Sequence, residues 1–164
     1  MARMTFKAGD EYALKLSKLA TNSENIAKKA IYGAAKIVAD KIKSNLEALP
    51  EDRFRFLRDG EKFAGVPKQQ KKDLVDSFGI TPITEDGSGY WNAKLGFDGY
   101  GSMPTKQYPE GLPNQLLARA IESGSSVRQK KPFVRPAVTA TKKQAIAEMG
   151  KIIDEEVEKS MGGK

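Results

Sequence analysis

The run from residue 23 to 48 constrains this chain most. In it Ile26, Ala27, Ala30, Ile31, Ala34, Val38, Ile42 and Leu46 recur on one stripe with the 3.6-residue period of an α-helix. Asn22 or Ser23 offers a side-chain oxygen to cap its start, and Pro50 stops it. The small alanines, with Gly33, suit close contact with another helix or with a sheet. A second pattern answers it: residues 137–161 place Ala145, Ile146, Met149, Ile152, Ile153, Val157 and Met161 on one side. The expected class is α+β, with two long helices packed on a small antiparallel sheet and long irregular loops. One domain spanning 1–164 accommodates all of it.

Shorter patterns fill the rest. "DEYALKLSKLA" (10–20) predicts a short helix carrying Leu14, Leu16 and Leu19. Residues 50–70 mix glycine, proline, charge and three phenylalanines without a period, which predicts a long loop or irregular arm. Phe54, Phe56 and Phe63 argue for a surface to bury against, on the same domain or on another subunit. "KQQKKDLVDS" predicts one or two helical turns. "FGITPITEDGSGYWNAKLGF" reads as a hairpin with "EDGSG" at its turn and Pro82 marking an edge or bulge. A Gly/Pro-rich loop follows over 98–112, then a helix over 113–123 with Pro113 in its first turn. Gly124 suits a left-handed close to that helix, and 162–164 should fray.

Composition removes whole classes of chemistry. The chain has no cysteine and no histidine. Disulfides, thiolate catalysis, histidine-based triads and the usual zinc sites are thereby excluded. Carboxylate pairs such as Asp73/Asp76, Glu85/Asp86 and Glu155/Glu156 carry no catalytic signature, and "DGYGS" lacks the strand–loop–helix context of a phosphate loop. The expectation is a protein that is not an enzyme and takes no cofactor or metal. No apolar run approaches a membrane span. The opening "MARMTFKAGD" shows no secretory h-region, so the reading is a chain folded in a cytoplasm.

Charge is uneven. The net +7 comes from 28 basic and 21 acidic residues. Arg128, Lys130, Lys131, Arg135, Lys142 and Lys143 form a stretch without an acid, and Lys28, Lys29, Lys36, Lys41 and Lys43 form another interrupted only by Asp40. An acidic cluster, Glu148, Asp154, Glu155, Glu156 and Glu158, follows. Either basic group is a solvated helix face or a surface for DNA or an acidic partner. Arginines interleaved with Phe54 and Phe56 in "DRFRFLRDG" keep a basic nucleic-acid-binding protein as the alternative, although Asp52, Asp59 and Glu61 dilute the charge.

"KKPFVRPA" (130–137) sets Pro132 and Pro136 around Phe133, Val134 and Arg135. The two rings fix their own φ and push the residues before them toward extended geometry, so the entrance to the last helix is stiff. Phe133 in such a segment is either a core anchor or a group offered to a neighbour.

In order along the chain, "FKAGDEYALKLSKLA", "AIYGAAKIVADKIKSNLEALP", "DLVDSFGI", Glu122–Ser123–Gly124–Ser125 and the Pro132–Ala137 segment resemble the tail-component (neck, head–tail joining, tail completion) family of long-tailed bacteriophages. Its members begin with a short strand and helix. Ser125 stands where threonine is usual, and the helical "LLARAI" stands where an aromatic-rich strand is more frequent. The resemblance implies a structural virion protein that forms or finishes a homo-oligomeric ring at the top of the tail so that heads attach. It implies contacts with itself, with a tail-tube or terminator protein and with a head-closure protein, and contact with DNA in the channel. Glu122 and Arg135 are then expected to form a polar contact within or between subunits. Phe133, Phe54 and Phe56 would serve contact, and Arg128, Lys130 and Lys131 would face a neighbour.

Overall fold

The long stripe becomes α1 (Asp10–Glu47), a single helix of 38 residues. The computed structural model describes residues 10–162. Sequence divides this stretch into two helices; the structure joins them. The hydroxyls of Thr21 and Ser23 donate back to the carbonyls of Ser17 and Ala20, at 2.9 and 2.8 Å, so these side chains bond their own helix and cap no new one. The strand expected ahead of Gly9 lies outside the described residues, as do residues 163 and 164 of the fraying end.

The second long helix, α4 (Val134–Gly162), runs alongside α1 in the opposite direction. Asn45 donates to the Phe133 carbonyl at 3.1 Å, Gly33 lies against Ile152, and Lys29 donates to Glu156 at 2.8 Å. Gly33 matters because a Cβ there would strike the Ile152 side chain. The apolar residues of α4 do not all share the α1 side. Ala137, Thr141 and Ala145 are buried, whereas Ile146 and Ile153 are 61% and 38% exposed. Each isoleucine follows a packed neighbour, Ala145 or Ile152, and successive helix residues point about 100° apart.

Between the helix ends sit the smaller elements. Chain order gives β1 (Glu51–Asp52), β2 (Val66–Pro67), α2 (Lys68–Ser77), β3 (Phe78–Ile80), β4 (Thr84–Glu85), β5 (Trp91–Asn92), β6 (Leu95–Phe97) and α3 (Asn114–Ser123). The predicted hairpin is present: β3 pairs antiparallel with β6 in the register Phe78 to Phe97, and β4 with β5 in the register Thr84 to Asn92. Its ladder breaks around Pro82, where Thr81 takes over both bonds. Its amide donates to the Lys94 carbonyl and its hydroxyl oxygen accepts from the Lys94 amide. A parallel pair, β1 with β2, was not legible in sequence. The core gathers Ile42, Leu46, Val66, Leu74, Phe97, Leu117, Ile121, Phe133 and Ala137, so every helix contributes. The loop over 98–112 is fastened to α2 by Asp73, which accepts from the Ser102 amide at 2.8 Å and from its hydroxyl at 2.9 Å. No described helix is long and apolar enough to cross a membrane.

Candidate functional site

The junction between α3 and α4 is built around one carboxylate. Gly124 ends α3 at φ 80°, ψ 164°, a region that glycine alone occupies comfortably and not the left-handed helical turn expected there. Glu122, on the last turn of α3, reaches across to the start of α4. Its Oε2 accepts from the amides of Phe133 (2.7 Å) and Val134 (2.9 Å), and its Oε1 from that of Arg135 (3.0 Å). A helix opens with four amides that lack intrahelical acceptors. Here three are taken by Glu122, and the fourth position is Pro136, which has no N–H. The cap is thus complete, and its charge sits at the positive end of the helix dipole. It also starts α4 at Val134, three residues earlier than the apolar pattern predicts. Burial pushes the Glu122 carboxyl up. The amides of Val134, Arg135 and Phe133, with the Arg135 charge, outweigh that and hold it below the ordinary glutamate range.

Phe133 is 1% exposed and meets the Phe97 ring edge-on, with centroids 6.0 Å apart. The Arg135 guanidinium lies 3.9 Å from Glu122 but is 73% exposed, so its fork is directed outward. Lys130, Pro132, Arg135 and Pro136 line a shallow hollow of about 520 Å³ on this surface.

A second construction is the arm over 53–65, closed at its base by β1 and β2. Gly65 sits at that base because a Cβ would collide with the Pro50 carbonyl, the acceptor of the Val66 amide at 2.8 Å. Arg55 braces the interior. It donates to Asp52 at 2.9 Å and, through Nε and Nη2, to Glu61 at 2.9 and 2.8 Å. Asp52 also accepts from the Ala64 amide and Glu61 from that of Arg58. Amide bonds, with Arg55 beside them, hold both carboxyls below their ordinary values. Phe63 is buried and exchanges backbone bonds with Val127 and Gln129, both at 3.0 Å, so the arm docks on the segment before the junction. Phe54 stacks on Phe63 at 6.2 Å, and Arg55 and Arg128 lie 5.3 and 5.1 Å from its ring centre. Phe56, at the tip, is 95% exposed.

A family model described as "Bacteriophage HK97-gp10, putative tail-component" matches residues 10–93, from the start of α1 through β5. That is just over half of the chain. The chain belongs to the HK97-gp10-like family of phage tail components. No curated protein matches it, and no solved structure does.

In this tail component the matched stretch contains the arm with Phe54 and Phe56, while Glu122 and the Pro132–Ala137 segment lie beyond it. The structure brings Glu122, Phe133 and Arg135 together and leaves Lys130 exposed beside them, with Lys131 half-buried. Arg128 is a correction. It does not belong to an exposed basic strip; it is 6% exposed, donates to the buried Gln70, and leaves Nη1 without a partner among the described residues. Burial pushes its guanidinium below the ordinary arginine value, and the Asp52 charge only partly opposes that. Its ring contact with Phe63 explains the placement, and no local pattern announces it. Asp52, Arg55, Glu61 and Gln70 were equally silent, because their partners come from other segments or from turns without a period.

Proposed function

We propose that this tail component acts at the head–tail junction, forming or finishing a ring at the top of the tail so that filled heads attach. The role is structural and not enzymatic. Family membership from α1 through β5 carries the reading. The rigid α3–α4 junction and the braced arm support it, since both present pre-ordered surfaces that lose little freedom on assembly. Neighbouring copies, a tail-tube or terminator protein and a head-closure protein are the partners, and the protein resides in the virion. The basic hollow of Lys130 and Arg135 would meet an acidic face of one of these. The test is assembly in an extract lacking the protein. Filled heads and separate tails should accumulate, and adding purified protein should join them. Joining that proceeds without it would overturn the reading. Tight, steeply salt-dependent duplex binding by a monomer would instead favour the nucleic-acid alternative.

A further inference from the structure

Asn114 opens α3 at 3% exposure. Its Nδ2 donates to the Asp98 carbonyl at 2.9 Å, which fixes the orientation of the amide and turns Oδ1 the other way. That oxygen meets no hydrogen-bond donor among the described residues. Folds rarely leave a buried acceptor so, because its bonds to water are given up with nothing in exchange.

Two further oxygens share its direction. A Cβ built on Gly101 would meet Asp73 Oδ2 at 3.2 Å, the Leu112 carbonyl at 3.4 Å and Asn114 Oδ1 at 3.5 Å. A carboxylate, a backbone carbonyl and a side-chain amide thus converge on one point that only glycine at 101 leaves free of a side chain. The cradle is held in place by the backbone. The Gly101 amide donates to the Leu112 carbonyl at 2.8 Å and the Asn114 amide to the Gly99 carbonyl at 3.0 Å. Gly111 sits so close that a Cβ on it would strike the Gly101 carbonyl. Asp73 accepts only from neutral donors, the side-chain amide of Gln69 and the amide and hydroxyl of Ser102. No lysine or arginine pairs with it among the described residues. Carbonyl and carboxylate oxygens carry two lone pairs each, so acceptor capacity remains.

We propose that this point binds a divalent cation of the calcium type, held by Asp73 Oδ2, Asn114 Oδ1 and the Leu112 carbonyl, with water completing the shell. The lack of cysteine and histidine removes soft-metal sites and leaves ligation by oxygen open. Calcium takes neutral and charged oxygens in flexible geometry at about 2.3–2.6 Å, a distance that rotations of the Asp73 and Asn114 side chains supply. Magnesium keeps its own waters and demands a near-ideal octahedron, which this set does not offer. Among the described residues no three carboxylates gather into a metal site. With one carboxylate, and with the positive end of α3 opposing a cation, the affinity is weak. The ion ties the 98–112 loop to α2 and to the start of α3, and it is independent of the head–tail reading.

Calorimetry and thermal melting test it on the purified, chelator-treated full chain, with CaCl2, MgCl2 and NaCl at matched ionic strength. Calcium should bind with a Kd of about 0.1–1 mM and, at about 10 mM, raise the melting temperature by about 3–10 °C. Asp73→Asn, which removes the charge, should lose most of that shift. Gly101→Ala is the sharper variant. Gly101 does not have a positive φ, so a methyl is tolerated there, and it fills the convergence point while all three oxygens remain. This variant should keep its helical circular dichroism and lose the calcium shift. A calcium effect no larger than that of NaCl overturns the site and leaves a bridging water in its place. An effect that survives unchanged in either variant also overturns it, because the ion then sits on surface carboxylates such as Asp154 and Glu158. Magnesium that matches calcium overturns the calcium-type assignment.

Discussion

Glu122 shows how one residue sets where a helix begins. Replacing it with Ala strands three amides at the start of α4 and should destabilise the fold by about 1–2 kcal/mol, read from chemical denaturation; Gln, which keeps an acceptor, should cost less. The sign with pH follows from its lowered pKa. Its contribution is fully present above the ordinary glutamate pKa and disappears as pH falls through the lower folded value. The Glu122→Gln variant should therefore lose less stability than wild type over that acidic window. Arg128 demands a different reading. Arg128→Ala removes a buried ring contact and leaves Gln70 unpaired, so denaturation should show a loss of about 2–3 kcal/mol. Charge reversal at Lys130, which is exposed, should leave the melting temperature unchanged within error.

At the scale of elements, glycine positions separate packing from exposure. Gly65→Ala forces the β1–β2 bridge open against the Pro50 carbonyl and should cost about 1–3 kcal/mol. Gly150→Ala meets open space on α4 and should raise stability by about 0.5–1 kcal/mol. Melting curves of the two variants should shift in opposite directions. Element type was legible wherever a period ran long, as in α1 and α4, and wherever turn chemistry was dense, as in "EDGSG". Boundaries were not. The Ser23 hydroxyl looks like a cap in sequence but bonds backward along α1, and α4 begins where a carboxylate from α3 arrives.

Across the whole molecule, one core joins α1, α2, β6, α3 and α4, and the hairpin closes on it through Phe78 and Phe97. Trp91 reports from the hairpin itself, half-buried beneath the Lys28 ammonium at 4.6 Å. Thermal unfolding followed by Trp91 fluorescence should therefore coincide with loss of helical circular dichroism. Two separate midpoints would show that the hairpin melts on its own.

By itself the sequence determined the two long helices, the hairpin and the stiff entrance to α4, because period, turn residues and proline geometry act over a few neighbouring residues. It also removed every chemistry that needs cysteine or histidine. Only the tertiary structure decided that Glu122 caps a different helix, that Arg128 lies inside, and that Phe56 stands outside while Phe63 does not. Those outcomes depend on which segments meet across the fold, and "DRFRFLRDGEKF" reads the same whichever of its phenylalanines finds the core.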